Sequence, residues 1–126
     1  MVMDPGRLSF ILEAKERLDV MEEALLAAER ASDPEAVHDL FRSVHTIKGS
    51  AALFSLDDIV HFSHSVENAL ERVRARHLAL SEDLVGLLLE CHDYLIQRIG
   101  ELEAERPDGL ALRQKGERLM VRLQAC

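Results

Sequence analysis

Tryptophan is absent from this 126-residue chain, tyrosine occurs once and phenylalanine four times. A core built on large aromatic rings is therefore excluded, and Leu, Ala and Val must fill the interior. Three prolines and six glycines are too few for a sandwich or barrel of many tight turns. Only two cysteines occur, Cys91 and the distant Cys126, so a disulfide framework is not expected and both read as reduced thiols. No apolar run approaches the length of a membrane span, and the N-terminus lacks the charged-then-apolar pattern of a secretion signal. An excess of basic residues is also missing. The formal charge of −8 argues against a general nucleic-acid binder but not against a specific protein partner. The chain reads as soluble and cytoplasmic.

What is present is helical. Apolar residues make up 48% of the chain, enough for one packed core, with Glu and Arg between them. Asp4-Pro5 starts a first helix, with Asp as cap and Pro at the first position. Ile11, Ala14, Leu18, Met21, Leu25 and Ala28 then recur at spacings of three and four, the seam of a bundle helix. Ser32-Asp33-Pro34 opens a second helix with Val37, Leu40, Phe41, Val44, Ile47 and Ala51 inward. Ser55 with Asp58 reads as a capping box for a third, whose inward positions are Ile59, Phe62, Ser63, Val66, Ala69, Leu70 and Val73. Ser81-Glu82-Asp83 opens a fourth, with Leu84, Leu88, Cys91, Leu95, Ile99 and Leu102 inward, and Arg106-Pro107-Asp108-Gly109 ends it. A last, less regular helix carries Leu112, Leu119 and Leu123.

Short connections between long helices imply antiparallel neighbours. The expected fold is all-α: an up-down four-helix bundle over about residues 5–105 with a fifth helix added over about 109–124, one domain across 1–126. There is no internal repeat and no heptad seam left over, so a monomer is expected.

One stretch stands apart from the packing pattern. In His45-Thr46-Ile47-Lys48-Gly49-Ser50-Ala51, positions 45, 48 and 49 are i, i+3 and i+4 neighbours and share one patch of helix surface. Glycine inside a helix costs about 1 kcal/mol relative to alanine, so it needs a reason. Leaving His45 open to another protein is such a reason. With the second helix's core stripe centred near Val44, Ile47 and Ala51, His45 sits roughly 110° round, at its edge. Glu67 occupies the corresponding edge of the third helix, roughly 90° from its core centre, with His64 one turn earlier. Periodicity fixes these faces and leaves the axial register open, so contact between His45 and Glu67 is for the tertiary structure to decide.

Given that contact, a carboxylate accepting Nδ1–H fixes the imidazole tautomer and leaves the Nε2 lone pair outward and more basic. Lys48 supplies a cation suited to a phosphoryl group. Each residue alone has an ordinary explanation: a polar boundary histidine, a snorkelling lysine, a packing glycine, a solvated glutamate. The signal lies in their combination.

His45-Thr46-Ile47-Lys48-Gly49, Phe54 and His64-Ser65-Val66-Glu67-Asn68 together resemble the histidine phosphotransfer (HPt) family, in particular the domains that open CheA-type chemotaxis kinases. The first helix from Phe10 through Leu26 shares the likeness. The resemblance implies that His45 is phosphorylated on Nε2 and that Glu67 orients it through Nδ1. It implies Lys48 and His64 in the surrounding hydrogen-bond network, and Gly49 as the small residue giving access. Gly49-Ser50 replaces the two adjacent glycines of many relatives, and Ser55-Leu56 replaces the usual glycine after the phenylalanine. Both departures touch the turn after the second helix.

The implied cycle moves a phosphoryl group from an ATP-bound histidine kinase domain to His45, then to an aspartate of a CheY-like response regulator receiver. No Gly-rich nucleotide loop or Walker-type lysine is present. The chain is thus expected to be a carrier rather than an enzyme, with no cofactor or metal of its own and ATP and Mg²⁺ in its partners. Docking is expected on the exposed small and apolar residues of the first two helices. Two other classes compete with this reading. A metal-binding bundle draws on the six histidines, but His61, His64 and Glu67 fan out by roughly 60° per step of three. A di-iron bundle needs Glu-x-x-His on two helices, and only Glu35-Ala36-Val37-His38 fits. A non-catalytic helical adaptor is the remaining alternative.

Overall fold

The computed structural model describes residues 4–30, 34–106 and 109–126. They form α1 (Pro5–Arg30), α2 (Pro34–Leu53), α3 (Asp57–Arg74), α4 (Glu82–Glu103) and α5 (Leu110–Ala125), with no strand among the described residues. Side-chain caps act where the sequence places them for two helices. The Asp4 carboxylate accepts the Arg7 amide at 3.0 Å ahead of Pro5, and Ser81 Oγ accepts that of Leu84 at 3.1 Å. Ser32 and Asp33, and the Pro107-Asp108 pair expected to end the fourth helix, lie outside the described residues.

The capping box at Ser55 and Asp58 is not formed. The residue before α3 is Leu56, without a side-chain cap, and Ser55 instead belongs to the end of α2. There the backbone turns left-handed, with φ 55° at Ser55. Its amide donates to Ala52 O at 3.3 Å and that of Leu56 to Ala51 O at 3.1 Å, the paired bonds of a Schellman ending. The same arrangement closes α3 through Arg76 (φ 63°) and α4 through Glu105 (φ 55°). All three left-handed positions carry side chains where glycine is usual. The stop signals were therefore invisible to a search for glycine.

Cross-helix pairs set the directions. Glu13 accepts from Ser50 and Gly6 meets Phe54, so α1 and α2 run antiparallel. Asp58 pairs with Arg98 and Phe62 packs tilted against Tyr94, so α3 and α4 do likewise. The seams read from periodicity are buried: Ile11, Leu18, Met21 and Leu25 on α1; Leu40, Val44 and Ile47 on α2; Ile59, Phe62, Val66 and Leu70 on α3; Leu84, Leu88, Cys91, Leu95 and Ile99 on α4. Each such aliphatic side chain contributes about 1.5–3 kcal/mol. Ala28, Val37, Phe41 and Val73, at the margins, are only partly covered.

The four-helix bundle with an added fifth helix is the observed architecture, and α5 lies along both α3 and α4. Leu119 and Leu123 are buried, and Gly116 seats against the Tyr94 ring, where a Cβ would come within 2.8 Å of ring carbons. Arg122 pairs with Glu90 at 2.8 Å. From α3, the Arg72 guanidinium donates to Leu123 O at 2.9 Å and Cys126 O at 2.6 Å, satisfying carbonyls that the last turn leaves open. With α1, α3 and α5 all packed on it, α4 buries more than one stripe: Val85, Leu87, Tyr94, His92 and Arg98 are also inside. His92 donates through Nε2–H to Leu18 O of α1 at 2.9 Å.

Candidate functional site

The antiparallel register of α2 and α3 sets His45 directly against Glu67. His45 Nδ1 lies 2.7 Å from Glu67 Oε2, and Lys48 Nζ donates to Glu67 Oε1, also at 2.7 Å. One carboxylate thus spends each oxygen on a different residue of the neighbouring helix. Its side chain is only 12% exposed, whereas that of His45 is 63% exposed. Burial by itself raises the Glu67 carboxyl, but the hydrogen bonds and charges of Lys48 and His45 outweigh it and hold the group below the usual carboxylate range. An ionised carboxylate can only accept, so Nδ1 carries the proton and Nε2 keeps its lone pair, facing away from the anchor.

Lys48 therefore holds Glu67 in place. An ammonium has three protons, so two remain for other acceptors near the ring. Gly49, one turn beyond His45, is exposed, and a Cβ built on it meets nothing within 4 Å. Close helix packing is thus not its reason. Gly86 and Gly100 on α4 share that openness, so what distinguishes Gly49 is its position beside the imidazole.

His64 stands apart. It is exposed, hydrogen-bonds to none of His45, Lys48 and Glu67, and lines a shallow groove with Asn68 of α3 and Glu117 and Gln124 of α5. Three residues back from Glu67 turns about 60° round the helix, away from α2 and toward α5. Among the described residues no group of three or more His, Cys, Asp or Glu could hold a metal ion.

Two contacts at the site were not foreseen. The Phe41 ring, read as an inward residue, lies 6.0 Å from that of His45 with the planes only 7° apart. The Arg74 guanidinium of α3 sits 4.3 Å from the Phe41 centroid. The spacing of four between Phe41 and His45 was the available signal; Arg74 required the register of α3.

A helical bundle that offers an open imidazole, anchored at one nitrogen by a carboxylate of the next helix, is the architecture of a phosphotransfer domain. A model of the Hpt domain family matches residues 7–105, and the chain belongs to that family. Within it, the chain is similar to chemotaxis protein CheA of Bacillus subtilis (strain 168), 38% identical over 87 residues, covering 68% of this chain and 13% of that protein. CheA of Rhizobium meliloti (strain 1021) is 40% identical over 87 residues, covering 68% of this chain and 12% of that protein. The chain thus spans about one eighth of the length of these relatives. Among solved structures, the phosphorylated P1 domain of CheA3 in complex with CheY6 from R. sphaeroides superposes with a TM-score of 0.83 at 26% identity, covering 98% of this chain and 99% of that one.

Proposed function

We propose that this chain is a phosphocarrier of two-component signalling of the chemotaxis type, working in the cytoplasm as one unit from α1 to α5. His45 Nε2 accepts a phosphoryl group from an ATP-bound histidine kinase domain and passes it to an aspartate of a CheY-like response regulator. The carrying observation is the Nδ1–Glu67 hydrogen bond on an otherwise exposed ring.

The electron bookkeeping fits this geometry. The Nε2 lone pair forms the N–P bond while the P–O bond to the leaving ADP breaks, and Nδ1 keeps its proton, still donated to Glu67 Oε2. The ring then bears positive charge, which the carboxylate beside it stabilises. When the regulator's carboxylate attacks, the P–N bond breaks and its electron pair returns to Nε2. No proton needs to move in either step. Positioning of ATP and Mg²⁺ belongs to the partner domains, and the chain acts as substrate and carrier rather than catalyst. Lys48 offers charge to the phosphoryl oxygens and Gly49 leaves room for the partner, whereas His64, turned toward α5, makes no hydrogen bond to His45, Lys48 or Glu67.

The likeness to CheA proteins and to a P1 domain crystallised with a CheY protein supports a role within a CheA-type kinase. Incubation with γ-labelled ATP and a CheA-type kinase core is the test. The expected label is acid-labile and alkali-stable, absent from His45→Gln, and discharged by a receiver domain. Equal labelling of His45→Gln, or none of the wild type, refutes the carrier reading and leaves a helical adaptor.

A further inference from the structure

We infer that Phe41 is a positioning residue for His45: with Arg74 lying over its ring, Phe41 sets the plane of the imidazole while Glu67 sets its tautomer. The inference rests on the phosphotransfer reading and adds to it a second restraint that the hydrogen bond alone does not supply.

A single hydrogen bond at Nδ1 fixes one atom of the ring. The torsion about the histidine Cβ–Cγ bond is intrinsically broad, so the ring still tilts about that anchor and Nε2 sweeps an arc. A docked kinase or receiver presents its phosphorus or carboxylate along one line, and productive transfer needs the lone pair on that line. A flat neighbour parallel to the imidazole removes tilt toward its side. Phe41 meets that requirement: one turn before His45 on α2, half-buried, its plane within 7° of the imidazole's, in an offset stack at 6.0 Å. Phe41 is itself held. The Arg74 guanidinium lies 4.3 Å from its centroid, with Glu71 3.7 Å from that guanidinium on the same helix. His45 is thus tied to α3 twice, at its Nδ1 edge through Glu67 and at one ring face through Phe41 and Arg74.

The chemistry separates this role from docking and from stability. Restricting tilt matters when the donor is fixed by a protein and not when a small donor approaches freely. Phe41→Leu keeps apolar volume but not the flat ring, and Phe41→Tyr keeps the ring. With a CheA-type kinase core and ATP, Phe41→Leu should lower the maximal phosphorylation rate about three- to tenfold at unchanged half-saturating concentration, the size of one released side-chain rotor. Phe41→Tyr should restore it, and Arg74→Gln should show a smaller loss of the same kind. With phosphoramidate, whose P–N bond breaks to release ammonia as Nε2–P forms, Phe41→Leu should match wild type. Equal losses in Phe41→Leu and Phe41→Tyr, a raised half-saturating concentration alone, or equal slowing with phosphoramidate overturns the inference. Wild type left unlabelled by the kinase is the failure of the phosphotransfer reading itself, and is read before any variant.

Discussion

Replacing Glu67 with glutamine removes the charge on which the mechanism depends. Glutamine keeps the length of the side chain and one oxygen that can accept from His45 Nδ1; its NH2 then faces the Lys48 ammonium, so the negative charge beside the ring and the Lys48 hydrogen bond are lost together while the Nδ1–H tautomer is kept. With Nδ1 and Oε2 2.7 Å apart, the charge centres of carboxylate and imidazolium lie about 4–5 Å from each other. Coulomb's law gives ~4 kcal/mol at an effective dielectric of ~20 and ~1 kcal/mol in water. His45 is largely exposed while Glu67 is largely covered, so the effective value falls between these limits. Only charge that develops between ground and transition state counts, on the order of half of it. The expected barrier increase is thus about 0.5–2 kcal/mol, a roughly two- to thirtyfold slower phosphorylation. Stability should change by no more than about 1 kcal/mol, since the lost contacts lie at the bundle surface. Single-turnover labelling of His45 alongside a thermal melt measures both. A rate within twofold of wild type would mean that the carboxylate is structural and that its charge does not assist transfer.

The same substitution carries a pH signature. The folded protein holds the Glu67 carboxyl below its ordinary value of 4.5, so in acid the unfolded chain binds the extra proton first. The stabilisation from ionised Glu67 is complete above that value and is lost as pH falls through the lower folded one. The stability gap between wild type and Glu67→Gln should therefore close on acidification, as chemical denaturation at stepped pH will show.

Three further outcomes follow from the fold. Ser55→Gly should raise stability by about 0.5–1 kcal/mol, because φ 55° strains any side chain with a Cβ; a variant no more stable than wild type contradicts the left-handed ending of α2. Gly49→Ala should stabilise by up to about 1 kcal/mol, since its methyl enters open space on a helix, whereas Gly116→Ala should destabilise by about 1–3 kcal/mol against Tyr94; paired urea titrations compare them, and equal effects would refute the wedged placement of α5. A thiol reagent should label native protein once, at exposed Cys126: Cys91 is sealed in the core, and burial, with lesser help from Glu90, pushes its thiol up to about 12. Two rapid equivalents without denaturant would show the core to be open.

The fold was legible where periodicity and caps carry it. The α1 seam from Ile11 to Leu25, the cap at Asp4-Pro5 and the Ser81 cap of α4 follow from local rules, because side-chain spacing on a helix is set by its 3.6-residue turn. Reading failed at the helix ends. Ser55 fits a capping box in sequence, but its backbone is committed to closing α2, and a left-handed serine has no signature of its own. It failed also at α4, where Tyr94, His92 and Arg98 are buried by α5, Phe62, Leu18 and Asp58, partners remote in the chain.

The site divides along the same line. Sequence alone determined that His45, Lys48 and Gly49 share a patch at the edge of a helix, because three residues within one turn cannot do otherwise. It also determined that Glu67 lies at an edge of the next helix. Tertiary structure decided the rest, since the axial register of two helices is set by how their buried faces interlock and not by either sequence locally. That register brings Glu67 between His45 and Lys48, turns His64 away toward α5, and lays Arg74 over Phe41 beside the imidazole.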